Sequence, residues 1–202
     1  MHRMATIDGM WDRTFTIGSA GKTFSVTGWK LGWCIAPEYL VKNMGYVWQN
    51  VCYTSPTPIQ EACANSFRIE MERQKNNDKR CYFTSLAEEM LPLRDRMAAA
   101  LRKAGMKPIV PEGGYFMAAD ASGMGIDIPK EFYDDSVTWD HNLARYLISE
   151  EKLSTIPNSA FYSAEGKKEN NKYLRFCFAK DEATMQKAEK FFDNWAAAKN
   201  SQ

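Results

Sequence analysis

The stretch TIGSAGKTFSVTGWKLGW, residues 16–33, decides how the rest of the chain is read. It places Ser19 three residues before Lys22, and a second lysine, Lys30, follows eight positions later inside GWKLGW. A lone lysine in a Gly/Ser-rich turn is ordinarily a solvated charge. Here apolar runs at residues 14–17 and 31–36 flank the loop and read as buried strands that carry it towards an interior. A lysine partly desolvated there, close to another cation, has its ammonium form disfavoured and becomes an amine nucleophile, the requirement for a Schiff base. The plain alternative is a buried turn with one snorkelling lysine.

Pyridoxal phosphate asks two further things of the protein at this end: donors for the phosphate and a fixed positive charge against its dianion. Ser19 and Lys30 are groups of that kind, and Gly18, Gly21 and Gly28 allow a close backbone approach. In order and spacing, SAGKTFSVTGWKLGW resembles the cofactor-lysine signature of the fold-type I aminotransferases, most of all the kynurenine aminotransferase and glutamine transaminase K group. The resemblance extends through PIVPEGGYF, IPNSAFY and RFCF, so it covers essentially the whole chain. It implies an α/β protein of the PLP-dependent transferase fold type I, with part of the large cofactor-binding domain in residues 1–90 and an α+β small domain in residues 91–202. It also implies that Lys22 bonds the cofactor and shuttles the substrate's proton, and that Ser19 and Lys30 hold the phosphate.

Composition sets broad limits. The 202 residues, 45% hydrophobic and 25% charged, are those of a globular protein able to bury a core. Lys plus Arg at 26 against Asp plus Glu at 25 gives a net charge of +1, which argues against nucleic-acid and membrane-surface partners. Five cysteines, none in a CxxC pair, and two histidines argue against a metal site or a disulfide framework. With no secretory or transit signal at the start and no run long enough to span a bilayer, the expected location is cytoplasmic, or mitochondrial if a preceding segment carries a transit peptide.

Taken in order, Pro37 and Glu38 open a helix, and Thr57, Pro58 and Gln60 read as a capping box for the next, whose stripe is Ile59, Cys63, Phe67 and Met71. Tyr53 lies just ahead of that box. The resemblance makes it an aromatic contribution to a neighbouring subunit's substrate pocket, and an aromatic plug at a helix entry is an equal alternative. Residues 73–80 are a polar run. Ser85 and Glu88 form a second candidate capping box, Pro92 is expected to bend the helix that follows, and Gly105 stops it.

Short strands at residues 107–110 and 115–119 then flank the PEGG turn, residues 138–152 form a helix with Leu143 and Leu147 on one face, and residues 154–157 are a short strand. In YLRFCF, residues 173–178, Leu174, Phe176 and Phe178 share one face, and Tyr173, Arg175 and Cys177 the other. An arginine in so apolar a strand calls for an anion, most commonly an acidic side chain of the protein itself. The resemblance points instead to the substrate's α-carboxylate, gripped by the guanidinium fork. Pro157, Ser159 and Phe161 are then neighbours of that pocket. Asp181 caps a last helix whose apolar stripe is Met185, Ala188, Phe191, Phe192 and Trp195.

The expected activity is transfer of an amino group from kynurenine, glutamine or a similar amino acid to a 2-oxo acid, with β-elimination from cysteine conjugates as a side reaction and a homodimer as the working form. The resemblance also implies that this is the carboxy-terminal half only, the carboxylate facing the pyridine nitrogen belonging to an amino-terminal part. The alternative is therefore a catalytically incomplete, truncated chain that acts only as a dimer partner or is a fragment of the full enzyme. Alone, such a chain is expected to expose an apolar face and unpaired sheet edges.

Overall fold

In the computed structural model, which describes residues 3–199, the motif around Lys22 sits at the end of an antiparallel ribbon. Strand β1 (Thr16–Ser19) pairs with β2 (Gly32–Ile35) in the register Thr16↔Ile35 to Ser19↔Gly32. The loop between them carries the single turn α1 (Ala20–Thr23) and a 3₁₀ turn at Thr27–Trp29. The sequence expectation of two buried strands is corrected here. No second layer packs fully over either face of the two-stranded ribbon among the described residues, and Ile17 is left 77% exposed on one face, with Ile35 exposed on the other. What anchors the ribbon is aromatic. Trp33 and Phe24 both meet Phe67 edge-on, at centroid separations of 5.1 and 4.9 Å, contacts that add about 0.5–1.5 kcal/mol each beyond their buried area.

Phe67 belongs to α3 (Thr57–Lys75), which follows α2 (Glu38–Val51). Helix α2 buries none of its residues and exposes Tyr46, Val47 and Val51, the apolar face foreseen from the sequence. Neither expected capping box forms. Pro56 holds the N-cap of α3, and the Gln60 amide donates to the Ser55 carbonyl instead of reaching back to Thr57. Helix α4 (Tyr82–Lys103) begins three residues before Ser85, because the buried Glu70 carboxylate of α3 accepts the Tyr82 N–H at 2.7 Å. An acceptor from another helix does the work of the cap. Pro92 lies inside α4 without ending it.

The chain divides into two compact units between Leu86 and Ala87, within α4. In the second unit α4 stops at Gly105, whose φ of +86° only glycine adopts without strain, and the Met106 N–H closes back on the Leu101 carbonyl. A four-stranded antiparallel sheet follows, ordered β3 (Lys107–Ile109), β4 (Phe116–Asp120), β6 (Tyr173–Cys177), β5 (Ile156–Pro157). Its buried face is the one the alternation in YLRFCF predicts. Leu174 and Phe176, with Phe178 just beyond the strand, pack in a cluster with Leu101 of α4, Leu143 and Leu147 of α5 (Trp139–Ser149), and Met185 and Phe192 of α7 (Glu182–Lys199). Each such side chain taken fully from water contributes about 1.5–3 kcal/mol. Asp181 caps α7 by accepting the Thr184 N–H at 2.8 Å. The short helix α6 (Ala164–Asn170), capped by Ser163, has no counterpart in the sequence expectations. Among the described residues no helix is long and apolar enough to cross a membrane.

Candidate active site

Ser19, Lys22 and Lys30 line one cavity of about 430 Å³ in the first unit, together with Gly21, Thr27 and Gly32. The ribbon register sets this up. Ser19 pairs with Gly32 at the end of the ladder, the Ala20 N–H donates to the Leu31 carbonyl at 3.0 Å, and α1 then turns Lys22 back over the same opening. Ala20 and Gly21 are buried, and a side-chain carbon on Gly21 would stand 3.0 Å from the Thr27 Cα and 3.4 Å from the Ser19 hydroxyl. Glycine there lets the two arms of the loop close. Lys30 is held in the left-handed region at φ 53°, a conformation that costs a non-glycine residue about 1–2 kcal/mol and turns the chain from the 3₁₀ segment into β2.

Lys22 itself is exposed, which corrects the expectation of a partly desolvated amine. The cause is again the uncovered ribbon. Gly28 has open space where a side chain would go, so it makes no close approach within the described residues. The Ser19 hydroxyl makes no hydrogen bond among the described residues, although Ser19 stands at the N-cap of α1. A hydroxyl and two lysines thus face a common space with no carboxylate in its lining.

In the second unit, Arg175 lies at the middle of β6, opposite Ala118 of β4 and Ile156 of β5. Its Nε is buried and has no acceptor, and among the described residues no acidic side chain forms an ion pair with it. Of the two partners the sequence leaves open for this arginine, the internal acid is therefore excluded for the described residues. A buried donor left unpaired costs about 1–3 kcal/mol, so the Nε calls for an acceptor that the described residues do not supply. The guanidinium carbon lies 4.4 Å from the ring centroids of both Phe116 and Phe161. Arg175 borders a cavity of about 570 Å³ with Ile156 and Cys177 on its wall.

The remaining sequence candidates are distributed unevenly. Pro157 is in β5, Ser159 is buried, and Phe161 packs on Arg175. Tyr53 stands on the turn between α2 and α3 with φ 63° and is 78% exposed, contributing to neither cavity. Two residues escaped the sequence reading. Phe116 follows the PEGG turn, and nothing local marks it as a partner of Arg175. Asp140 did leave a signal: it shares a helix face with Leu143, Ala144 and Leu147, and a carboxylate inside an apolar stripe is out of place unless it is bonded.

The motifs have counterparts elsewhere. Residues 3–191 match the family model described as aminotransferase class I and II. The chain is 47% identical over 194 residues to kynurenine–oxoglutarate transaminase 3 of Bos taurus, covering 96% of this chain and 42% of that protein. It is 40% identical over 192 residues to kynurenine–oxoglutarate transaminase 1 of Homo sapiens, covering 95% and 45%. Among solved structures it is similar to Bna3p of Saccharomyces cerevisiae, with a TM-score of 0.85 at 30% identity over 97% of this chain and 45% of that one. It is similar too to the N-succinyldiaminopimelate aminotransferase of Mycobacterium tuberculosis, with a TM-score of 0.75 at 30% identity over 95% and 44%. The chain spans less than half the length of these relatives. With nearly all of its sequence inside the match and its mixed α/β fold shared with these structures, the chain belongs to the class I and II aminotransferases.

Proposed function

We propose that the chain supplies the lysine end and the carboxylate-binding arginine of an aminotransferase that moves the amino group of kynurenine, glutamine or a similar amino acid to a 2-oxo acid, with pyridoxal phosphate as its cofactor. The single observation that carries this reading is the convergence of Ser19, Lys22 and Lys30 on one cavity. The donor set fits the cofactor: one amine for its aldehyde, and a second cation and a hydroxyl for its phosphate. When bound, pyridoxal phosphate supplies that aldehyde and a conjugated ring able to take up the electron pair of the substrate's Cα–H bond.

The chain's own residues do the rest. Lys30 offers an ammonium and Ser19 a hydroxyl donor to phosphate oxygens, charge-assisted bonds of the stronger kind. The Lys22 Nζ would take the proton from the substrate's α-carbon as a general base and give it up again, as a general acid, two atoms away across the amino nitrogen. Arg175 holds the α-carboxylate in its planar fork, and so orients the Cα–H bond that is to break. β-Elimination from a cysteine conjugate begins with the same proton removal and is the expected side reaction.

A second reading has specific support. The cavity around Lys22 contains no carboxylate to face the pyridine nitrogen, and α2 buries nothing. Both features suit a chain that works only with further protein, a longer subunit or a homodimeric partner towards which Tyr53 is turned out. The two readings separate on mixing the purified chain with pyridoxal phosphate. The first expects an absorbance band at the edge of the visible that Lys22→Ala abolishes and Lys30→Ala or Ser19→Ala weakens. The second expects no band until a longer partner is added, with a change in elution on size-exclusion chromatography.

A further inference from the structure

We infer that Asp140 is a positioning residue for Arg175, acting through the turn Asn158–Phe161; the inference rests on the reading of Arg175 as a carboxylate site. Asp140 is fully buried at the start of α5, and among the described residues no cation pairs with it. Its charge is spent on one residue. One carboxylate oxygen accepts the Ser159 N–H at 2.8 Å and the other accepts the Ser159 hydroxyl at 2.9 Å. Because that hydroxyl's only proton is committed to Asp140, the Thr138 hydroxyl 2.8 Å away is the donor in their contact. The Asp140 N–H in turn donates to the Asn171 carbonyl at 2.9 Å, just before β6 begins.

A buried carboxylate without a cation is an expensive way to hold a turn if the turn is only a connection. This turn ends in Phe161, two residues beyond Ser159, and the Tyr162 N–H closes it on the Ser159 carbonyl at 3.1 Å. Phe161 is 57% exposed, so the core does not hold its ring. The fixed backbone and the Arg175 cation do, with Phe116 from β4 as the second ring. Two rings on the guanidinium remove much of the rotamer freedom that a long side chain otherwise loses on binding. Asp140 thereby presets Arg175 for a carboxylate it never touches.

The test uses the ¹⁵N-labelled chain and pyruvate, a 2-oxo acid with a single carboxylate, and follows the Nε–H resonance of Arg175, assigned by its loss in Arg175→Lys. In the wild type the resonance is expected to shift saturably with pyruvate. Phe161→Leu removes an exposed ring without opening the core, and Asp140→Asn removes the charge and leaves a single acceptor oxygen for the Ser159 N–H and hydroxyl. Both are expected to move the unliganded resonance and weaken pyruvate binding about three- to tenfold, the range of a cation–ring contact, while Phe161→Tyr behaves as wild type. If pyruvate shifts the wild-type resonance and both variants bind it equally well, the positioning role is wrong and the carboxylate site stands. If pyruvate leaves the wild-type resonance unmoved, the carboxylate reading itself falls. Should Asp140→Asn fail to fold, Ser159→Ala, which removes the hydroxyl that donates to the same carboxylate, takes its place, and unchanged pyruvate binding in it overturns the role of Asp140.

Discussion

The indole of Trp33 fills the space beside Gly18, its pairing partner across the ribbon: a side-chain carbon on Gly18 would stand 2.2 Å from the Trp33 Cε2. The ring has little room to retreat, since its other contact is Phe67 of α3. Gly18→Ala is expected to destabilise the first unit by about 1–3 kcal/mol, the usual cost of forcing a carbon into a filled site. Because Ser19 is the next residue, pyridoxal phosphate affinity should fall with it. Thermal unfolding followed by tryptophan fluorescence, with a cofactor titration beside it, measures both effects.

Two glycines make a sharper contrast in the other unit. A side chain on Gly105 would meet the Gly123 carbonyl oxygen at 2.4 Å, and φ there is +86°. Gly105→Ala therefore combines left-handed strain with a backbone clash and should cost about 2 kcal/mol or more. Gly113→Ala, with nothing within 4 Å, should stay within about 0.5 kcal/mol of the wild type. Urea unfolding curves of the two variants check the difference.

Acid should loosen the junction of α4 with α7. Arg96 bonds Glu189 at 2.8 Å and Glu182 at 2.7 Å, and these hydrogen bonds hold both carboxyls below the usual glutamate range. A carboxyl depressed in the folded state lends stability that is present above the unfolded-chain value, about 4.3, and is lost as the pH falls through the lower folded-state value. The melting temperature should therefore drop on going from about pH 5 to pH 3, and less steeply in a Glu182→Gln, Glu189→Gln double variant. Added salt should shrink the difference between the two proteins, because the cluster lies near the surface.

Much of this architecture was legible in the sequence, and what was not has identifiable causes. The alternation in β6 and the stripe of α7 carry their own period, so Leu174, Phe176, Met185 and Phe192 were readable as core. That Ser19, Lys22 and Lys30 would lie close together was readable because one short loop holds all three. Burial of β1 and β2 was misread, since apolar composition says nothing about whether another layer will cover a sheet's faces. The caps of α3 and α4 were misread because Glu70 and Ser55 compete with the local motifs, one of them from another helix. Helix α6, AEGKKEN, carries a glycine and no apolar stripe, leaving no period to detect. Phe116 and Asp140 act on residues far away in the sequence, and only the fold brings them to Arg175 and Ser159.

The claim that the Lys22 amine is the group that bonds the cofactor has a direct measurement. The chain is mixed with pyridoxal phosphate at about one equivalent, treated with borohydride, and mapped by peptide mass spectrometry. A pyridoxyl label is expected on the peptide containing Lys22, blocked by excess inorganic phosphate and reduced in Lys30→Ala as the phosphate site weakens. A label spread over surface lysines, or concentrated on Lys30 with Lys22 unmodified, would contradict the claim.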